Sequence, residues 1–380
     1  MRVVWGAADG EEDTVRRASG VTSDSKAIPI DEPWDSLGEF LHREAFDEVD
    51  ALRVVGAARP IGGASWETFL VDLELRVEGR LESRRVAIKR APATGPLAPY
   101  LVGKDVAIFE TLATTEVPVP KLLAWTEDPA VFVRPFTATA FIEGDSHDIT
   151  KVEGWSVWQH DRQALGFEMI DTLAALQRVR WQGTALENAL APRGSAGERV
   201  AQIVHRYLDP LLEEARANAV GVPVWRDMGE WLKQNAPSDP ERDLVVVHGD
   251  YRFGNFLWQD ESIAAVLDWE RAMLGPPMQE LGFMCMPLSR RKEPEIMAKA
   301  ISFDALVDRY ERATGRPVDV AGIQFYAVLW QFIEGVNGTR GSLSPSAKGR
   351  VGGGGMIQPN LVTRQTLGLM ADYEAGRPFR

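Results

Sequence analysis

The segment from Leu244 to Glu270 restricts the folds open to this chain more than any other stretch. Two apolar runs, Leu244–Val247 and Ile263–Leu267, enclose the polar string His248-Gly249-Asp250-Tyr251-Arg252-Phe253-Gly254-Asn255, and the second run ends on Asp268-Trp269-Glu270. Runs this short, bounded by turn-forming and charged residues, read as buried strands. One strand therefore delivers Asp250 onto a rigid loop. A short hairpin follows, and the strand before Asp268 places that carboxylate opposite.

The surrounding sequence divides around this unit. Residues 1–33 are polar and acidic without a clean period and read as an extension. Leu37, Phe40 and Leu41 predict a helix over Trp34–Phe46. Over Glu67–Val77, Phe69, Val71, Leu73, Leu75 and Val77 alternate with mostly polar residues, the mark of a half-buried strand. A second strand is expected over Arg85–Arg90, with Val86 and Ile88 on one face and Lys89 on the other. A helix over Lys104–Thr115 ends before Pro118 and Pro120. Val131–Ile142 reads as further strand. Beyond Gly144 the pattern turns helical: Phe167–Val179, Arg199–Ala215, Trp225–Gln234, 296–313 and 319–335. Gly338–Gly355, rich in glycine and serine, reads as a loop. The expected architecture is α+β with two lobes: a β-rich lobe over 34–143 and a larger, mainly helical lobe over 144–380.

Composition narrows the function. A formal net charge of −13 argues against non-specific nucleic-acid binding. A single cysteine, Cys285, excludes an internal disulfide and a cysteine-built zinc site, and suits a reducing cytoplasm. The N-terminal stretch lacks a signal-peptide pattern and no run of 18 apolar residues occurs, so neither export nor a membrane span is expected. No G-x-x-x-x-G-K-[ST] is present, and no G-x-G-x-x-G lies between a strand and a helix.

The spacing H-x-D-x-x-x-x-N, followed by a hairpin and a second Asp, fits phosphoryl transfer. That chemistry needs one carboxylate to orient the attacking hydroxyl and accept its proton. It also needs an amide oxygen and a second carboxylate to hold Mg²⁺ across the phosphates. Asp250 takes the first role, Asn255 and Asp268 the second. His248 braces the loop. Each residue alone reads more readily as a turn or a strand-end cap; the joint pattern between two apolar strands makes the case. A metal-dependent phosphoesterase built on His248, Asp250 and Asp268 would need further ligands, and the chain has only five histidines.

The stretch from VVVHGDYRFGN to MQELGF resembles the aminoglycoside phosphotransferase and choline kinase superfamily, in the branch related to kinase domains fused to acyl-CoA dehydrogenases. The resemblance runs from about Val54 to Met286 and more faintly beyond. It implies a two-lobed protein-kinase-like fold with ATP between the lobes. It also implies ATP-binding residues: Lys89 on the α/β-phosphates, Glu110 as its helix partner, the small-residue turn with Gly63 and Ser65 as a phosphate loop, and Glu143 in the inter-lobe hinge. The branch's L-A-x-L-H helix motif reads Leu173-Ala174-Ala175-Leu176-Gln177 here.

The acceptor is expected to be a small molecule bearing a hydroxyl. The last 40 residues hold Lys348, Arg350, Arg364, Arg377 and Arg380 against Asp372 and Glu374, and Arg290, Arg291 and Lys292 form a second basic group. This balance favours a neutral or anionic acceptor, such as a hydroxyacyl-CoA, over a polycation. Arg252 and Glu270 are candidate acceptor contacts, and Trp155, Trp158, Trp269 and Trp330 candidate pocket walls. An aminoglycoside kinase and a catalytically silent nucleotide-binding protein are the alternatives. Oligomeric state is not encoded in any pattern found.

Overall fold

A computed structural model of the chain describes residues 32–60, 65–93, 100–146, 161–238, 243–290, 293–343 and 359–377. The chain forms two compact units. The first comprises described residues up to 146 together with Phe256–Leu267, and the second takes the remainder. Gly63, Trp155, Trp158, Arg291, Lys292, Lys348, Arg350, Arg380 and all of the expected glycine-rich loop beyond Leu343 lie outside the described residues.

The first unit begins with helix α1 (Trp34–Ala45), then strands β1 (Ala51–Ala58), β2 (Glu67–Val77) and β3 (Arg80–Arg90), helix α2 (Val102–Leu112), and strands β4 (Leu122–Thr126) and β5 (Phe136–Ala140). The strands form one antiparallel sheet in the order β1-β2-β3-β5-β4. Its register sets Phe69 opposite Ile88, Val71 opposite Val86 and Ile88 opposite Ala138, so the alternating apolar residues share one face. Leu37, Phe40 and Leu41 of α1 cover that face and join its core, with Phe132. Arg90 also points inward, since its register matches Ile88. It is buried, forked onto Glu32 at 2.6 and 2.8 Å and bonded to Glu67 at 2.8 Å. Its guanidinium also lies 4.7 and 4.6 Å from the Phe69 and Phe132 rings. This pairing ties the residues preceding α1 to the sheet.

The expected strand over Val131–Ile142 is shorter than its composition suggests. Pro129–Phe132 is a single helical turn capped by the Asp128 side chain, Val133 adopts φ +67°, and the strand starts only at Phe136. Pro135 excludes helical geometry at the residue before it, so the chain must re-enter an extended state there.

The second unit contains helices α3 (Arg162–Gln177), α4 (Ala196–Ala217) and α5 (Pro223–Gln234), then strand β6 (Val245–Val247). The hairpin of β7 (Phe256–Gln259) and β8 (Ser262–Val266) belongs to the first unit. The second unit resumes with β9 (Met273–Gly275), α6 (Pro277–Cys285), a two-residue ladder of β10 (Ile296–Met297) and β11 (Ile301–Ser302), then α7 (Phe303–Thr314), α8 (Val320–Leu343) and α9 (Pro359–Glu374). The helix expected over 296–313 thus starts at Phe303. Ala298 and Lys299 take left-handed conformations that close the small ladder, and the Ser302 hydroxyl caps the helix. The expected loop from Gly338 begins inside α8, which runs through Leu343.

Helix α8 is apolar around most of its circumference and nearly all of Ile323–Val336 is buried, as a helix packed on every side must be. It packs on α6, α9, α4 and α5. At the α6 crossing a Cβ on Gly282 would lie 2.6 Å from Tyr326 Cβ, so only glycine permits that approach. Among the described residues no helix is long and apolar enough to cross a membrane.

Candidate active site

Strands β6 and β9 pair antiparallel, Val247 opposite Met273, which sets the loop leaving β6 beside the loop entering β9. His248 is fully buried, its ring 4.6 Å from Trp269 and 5.9 Å from Tyr251. The Asp250 backbone N–H donates to His248 Nδ1 at 3.2 Å, which fixes this nitrogen as the acceptor. The histidine thus braces the loop. The Tyr251 hydroxyl donates to the Met169 carbonyl on α3 at 2.8 Å, and burial keeps the phenol neutral by pushing its pKa well up.

The loop closes on itself at Asn255. Its Nδ2 donates to the Asp250 carbonyl at 2.8 Å and to Asp250 Oδ2 at 2.7 Å. Arg252, exposed, sends Nε to both Asp250 carboxylate oxygens at 3.1 and 3.2 Å. Asp268 follows β8 in a left-handed conformation, φ 65° and ψ 57°, sparsely populated by non-glycine residues but tolerated by aspartate. Glu270 is half-buried on the 3₁₀ turn Trp269–Arg271.

Beneath the loop lies a set of buried ionisable groups that no local pattern announced. Glu280, on α6 and fully buried, accepts from the backbone N–H of His248 at 2.5 Å and of Gly249 at 3.2 Å. Burial pushes its carboxyl up to about 8, and the Asp250 charge adds to that, against the pull of the two N–H donors and Arg271. Gly249 holds φ +81°, and a Cβ there would sit 2.7 Å from the Arg271 carbonyl oxygen. Arg271 pairs with Glu334 of α8 at 2.6 Å. Burial disfavours its charge, but Glu334, Tyr207 and Asp250 together more than offset this, and the guanidinium pKa is raised.

Two aromatic wall candidates have other duties. Trp269 packs on His248, and fully buried Trp330 donates Nε1 to the Gln279 carbonyl at 2.8 Å. Gln177, in the position of the expected histidine, is buried; its Nε2 donates to the Pro277 carbonyl at 2.9 Å and its Oε1 accepts from the Tyr310 hydroxyl at 2.6 Å.

In the first unit, Lys89 projects from the sheet face opposite Ile88. Its Nζ lies 3.6 Å from Asp105 Oδ2 and 5.1 Å from the Trp66 ring. Asp105 is buried on α2, whereas Glu110, the expected partner, is exposed and lines a groove with Glu44 and Lys121. Five residues along an α-helix is a rotation of about 140°, so the two carboxylates cannot share a face. The sequence pairing of Lys89 with Glu110 is thereby corrected to Asp105. Ser65, two residues before β2, is half-buried. The Glu143 side chain is exposed and its carbonyl accepts from Gln259 Nε2 at 2.8 Å. The expected basic groups are depleted too. Arg290 is buried and bonded to the Pro294 carbonyl, and Arg377 is paired with Asp372, both at 2.6 Å.

Comparison with known proteins accords with this geometry. A family model described as the phosphotransferase enzyme family matches residues 59–326. Acyl-CoA dehydrogenase family member 10 of Mus musculus is 26% identical over 211 residues, covering 54% of this chain and 19% of the relative. A probable acyl-CoA dehydrogenase of Arabidopsis thaliana is 24% identical over 287 residues, covering 71% of this chain and 34% of the relative. The chain therefore spans no more than about a third of either protein. Among solved structures, a putative aminoglycoside phosphotransferase from Ralstonia eutropha aligns with TM-score 0.66 at 20% identity, covering 91% of this chain and 99% of that one. A thermostable mutant aminoglycoside phosphotransferase in ternary complex with ADP and hygromycin B aligns with TM-score 0.52 at 14% identity, covering 88% and 98%. These likenesses show the kinase-like α+β fold. With the family model spanning most of its length, the chain belongs to the phosphotransferase enzyme family.

Proposed function

We propose that the chain transfers the γ-phosphoryl group of ATP to a hydroxyl of a small molecule. The observation that carries this reading is the closure of the loop at Asn255, which grips both the carbonyl and the carboxylate of Asp250. A carboxylate held from two sides is aimed before substrate arrives, as efficient proton acceptance requires. The acceptor oxygen attacks the γ-phosphorus, Asp250 takes the hydroxyl proton, and the bond from phosphorus to the β,γ-bridging oxygen breaks to release ADP. Arg252, seated on the same carboxylate, brings positive charge to where the transferring group gathers negative charge.

Asn255 and Asp268 are suited to hold Mg²⁺. The amide nitrogen of Asn255 is engaged by Asp250, which leaves its carbonyl oxygen as a hard donor, and the half-buried Asp268 carboxylate is a second. Bound there, Mg²⁺ would neutralise charge on the ATP phosphates. Lys89, held by Asp105, is assigned to the α/β-phosphates. Ser65 and Glu143 are assigned lesser roles in nucleotide contact.

For the acceptor, a neutral or anionic alcohol such as a hydroxyacyl-CoA is favoured. Arg290 is buried and Arg377 is paired with Asp372, so neither draws an anion; exposed Arg252 beside Asp250 supports the preference, because it would repel a polycation. The test is ADP release with ATP and Mg²⁺ across aminoglycosides, simple alcohols and hydroxyacyl-CoA esters, in the parent and in Asp250→Asn. Acceptor-dependent ADP release that falls by about 10²–10⁴ in the variant is expected. Equal turnover in both proteins would remove Asp250 from the chemistry, and efficient turnover of an aminoglycoside alone would overturn the acceptor class.

A further inference from the structure

Two polar side chains of the second unit lack the partners that burial normally demands. The Arg271 side chain is only 10% exposed. Its Nη1 donates to Glu334 at 2.6 Å, and its guanidinium lies 5.0 Å from the Trp330 ring. Its Nε and Nη2, both buried, donate to nothing. On α8, the buried Oδ1 of Asn337 accepts nothing. Trp330, Glu334 and Asn337 recur at helical spacing and so share one face of α8, the face that Arg271 meets. Buried donors and acceptors are almost always paired, so three orphaned atoms on Arg271 and on the helix face it meets call for a missing partner.

The place is beside the proposed chemistry. A Cβ on Gly249 would come within 3.1 Å of Arg271 Cβ, and Asp250 is the next residue. Arg340, one turn further along α8, is bound to Glu214 of α4 at 2.7 Å. Arg271, among the described residues, thus keeps two donors to offer here.

We propose that Arg271 and Asn337 form a subsite for the acceptor, and that the group they hold is an uncharged carbonyl oxygen, of an ester, amide or thioester, together with its neighbouring N–H or O–H. This rests on the phosphotransferase reading above. Glu334 already balances the Arg271 charge, so a second carboxylate is not required. Two guanidinium N–H groups can fork onto one carbonyl oxygen, and Asn337 Oδ1 can accept from a donor beside it. A polyammonium sugar would bring further positive charge up to Arg271, where a carbonyl oxygen brings none.

The test separates binding from turnover. Binding is read by calorimetry on the full chain carrying Asp250→Asn, with ATP and Mg²⁺, using 4-hydroxybutyryl-CoA and its thioether analogue, which lacks only the carbonyl oxygen. Arg271→Met is expected to weaken the thioester about 10- to 100-fold and the thioether less than about threefold. Asn337→Leu replaces the amide, orphan oxygen and nitrogen together, by a side chain of similar size, leaves Arg271 in place and guards against misfolding of the arginine variant; it is expected to weaken the thioester about fivefold. Equal losses on both ligands, or none, overturn the subsite, as does failure of the thioester to bind at all. If the parent releases no ADP with any acceptor but the thioester still binds through Arg271, the kinase reading falls and the subsite stands.

Discussion

Replacing Glu280 by glutamine tests the buried charge network most directly. The folded carboxyl is pushed from its ordinary 4.5 up to about 8, chiefly by burial. Below pH 4.5 the group is protonated in both folded and unfolded chains. Between 4.5 and about 8 the unfolded chain gives up this proton while the folded chain keeps it. Unfolding then releases a proton, so rising pH favours the unfolded state across this window, and the slope ends above about 8. At about 1.4 kcal/mol per pH unit the whole window is worth on the order of 5 kcal/mol. Between pH 5 and 8 the parent should therefore lose about 4 kcal/mol relative to Glu280→Gln, whose amide does not titrate. Urea unfolding of both proteins at closely spaced pH values measures this difference. Parallel curves, or a parent that gains on the variant as pH rises, would mean that Glu280 is ionised in the folded protein and that the N–H groups of His248 and Gly249 outweigh its burial. The same variant should keep kcat within about threefold of the parent at neutral pH, because its amide has the shape of the protonated carboxyl and still accepts from the loop N–H groups through one oxygen.

The remaining predictions concern single contacts. Asp105→Asn should raise KM for ATP about tenfold by releasing Lys89, whereas Glu110→Gln should change it less than about twofold; the reverse ranking in steady-state kinetics would restore Glu110 as the partner. Gly249→Ala should cost about 3 kcal/mol, combining a left-handed backbone with a Cβ 2.7 Å from the Arg271 carbonyl oxygen; denaturation midpoints within error of the parent would refute that packing. Gln177→Leu should destabilise by about 3 kcal/mol, since it strands the Tyr310 hydroxyl and the Pro277 carbonyl in a buried site. The surviving folded fraction should retain acceptor-dependent ADP release, and selective loss of kcat without loss of stability would give Gln177 a catalytic role instead.

Much of the candidate site is legible in the sequence because its spacing is local. Asp250, Arg252 and Asn255 lie within six residues, and their mutual hydrogen bonds need only the tight turn that His248-Gly249 and Phe253-Gly254 begin and close. Period-two alternation in β2 and β3 likewise assigns Ile88 to the core and Lys89 to the other face before any coordinates are known. The sequence does not choose between Asp105 and Glu110, because both suit a helix and only packing of α2 on the sheet decides which carboxylate is buried. Nor does it reveal Glu280, Arg271 or Glu334. A charged residue read in isolation is assigned to solvent, and here three come from an α6 face, a turn and the middle of α8. Their burial is tolerable only because tertiary packing brings Arg271 to Glu334 and the backbone N–H groups of His248 and Gly249 to Glu280, so the sequence determines the reactive groups and the folded chain alone decides what surrounds and orients them.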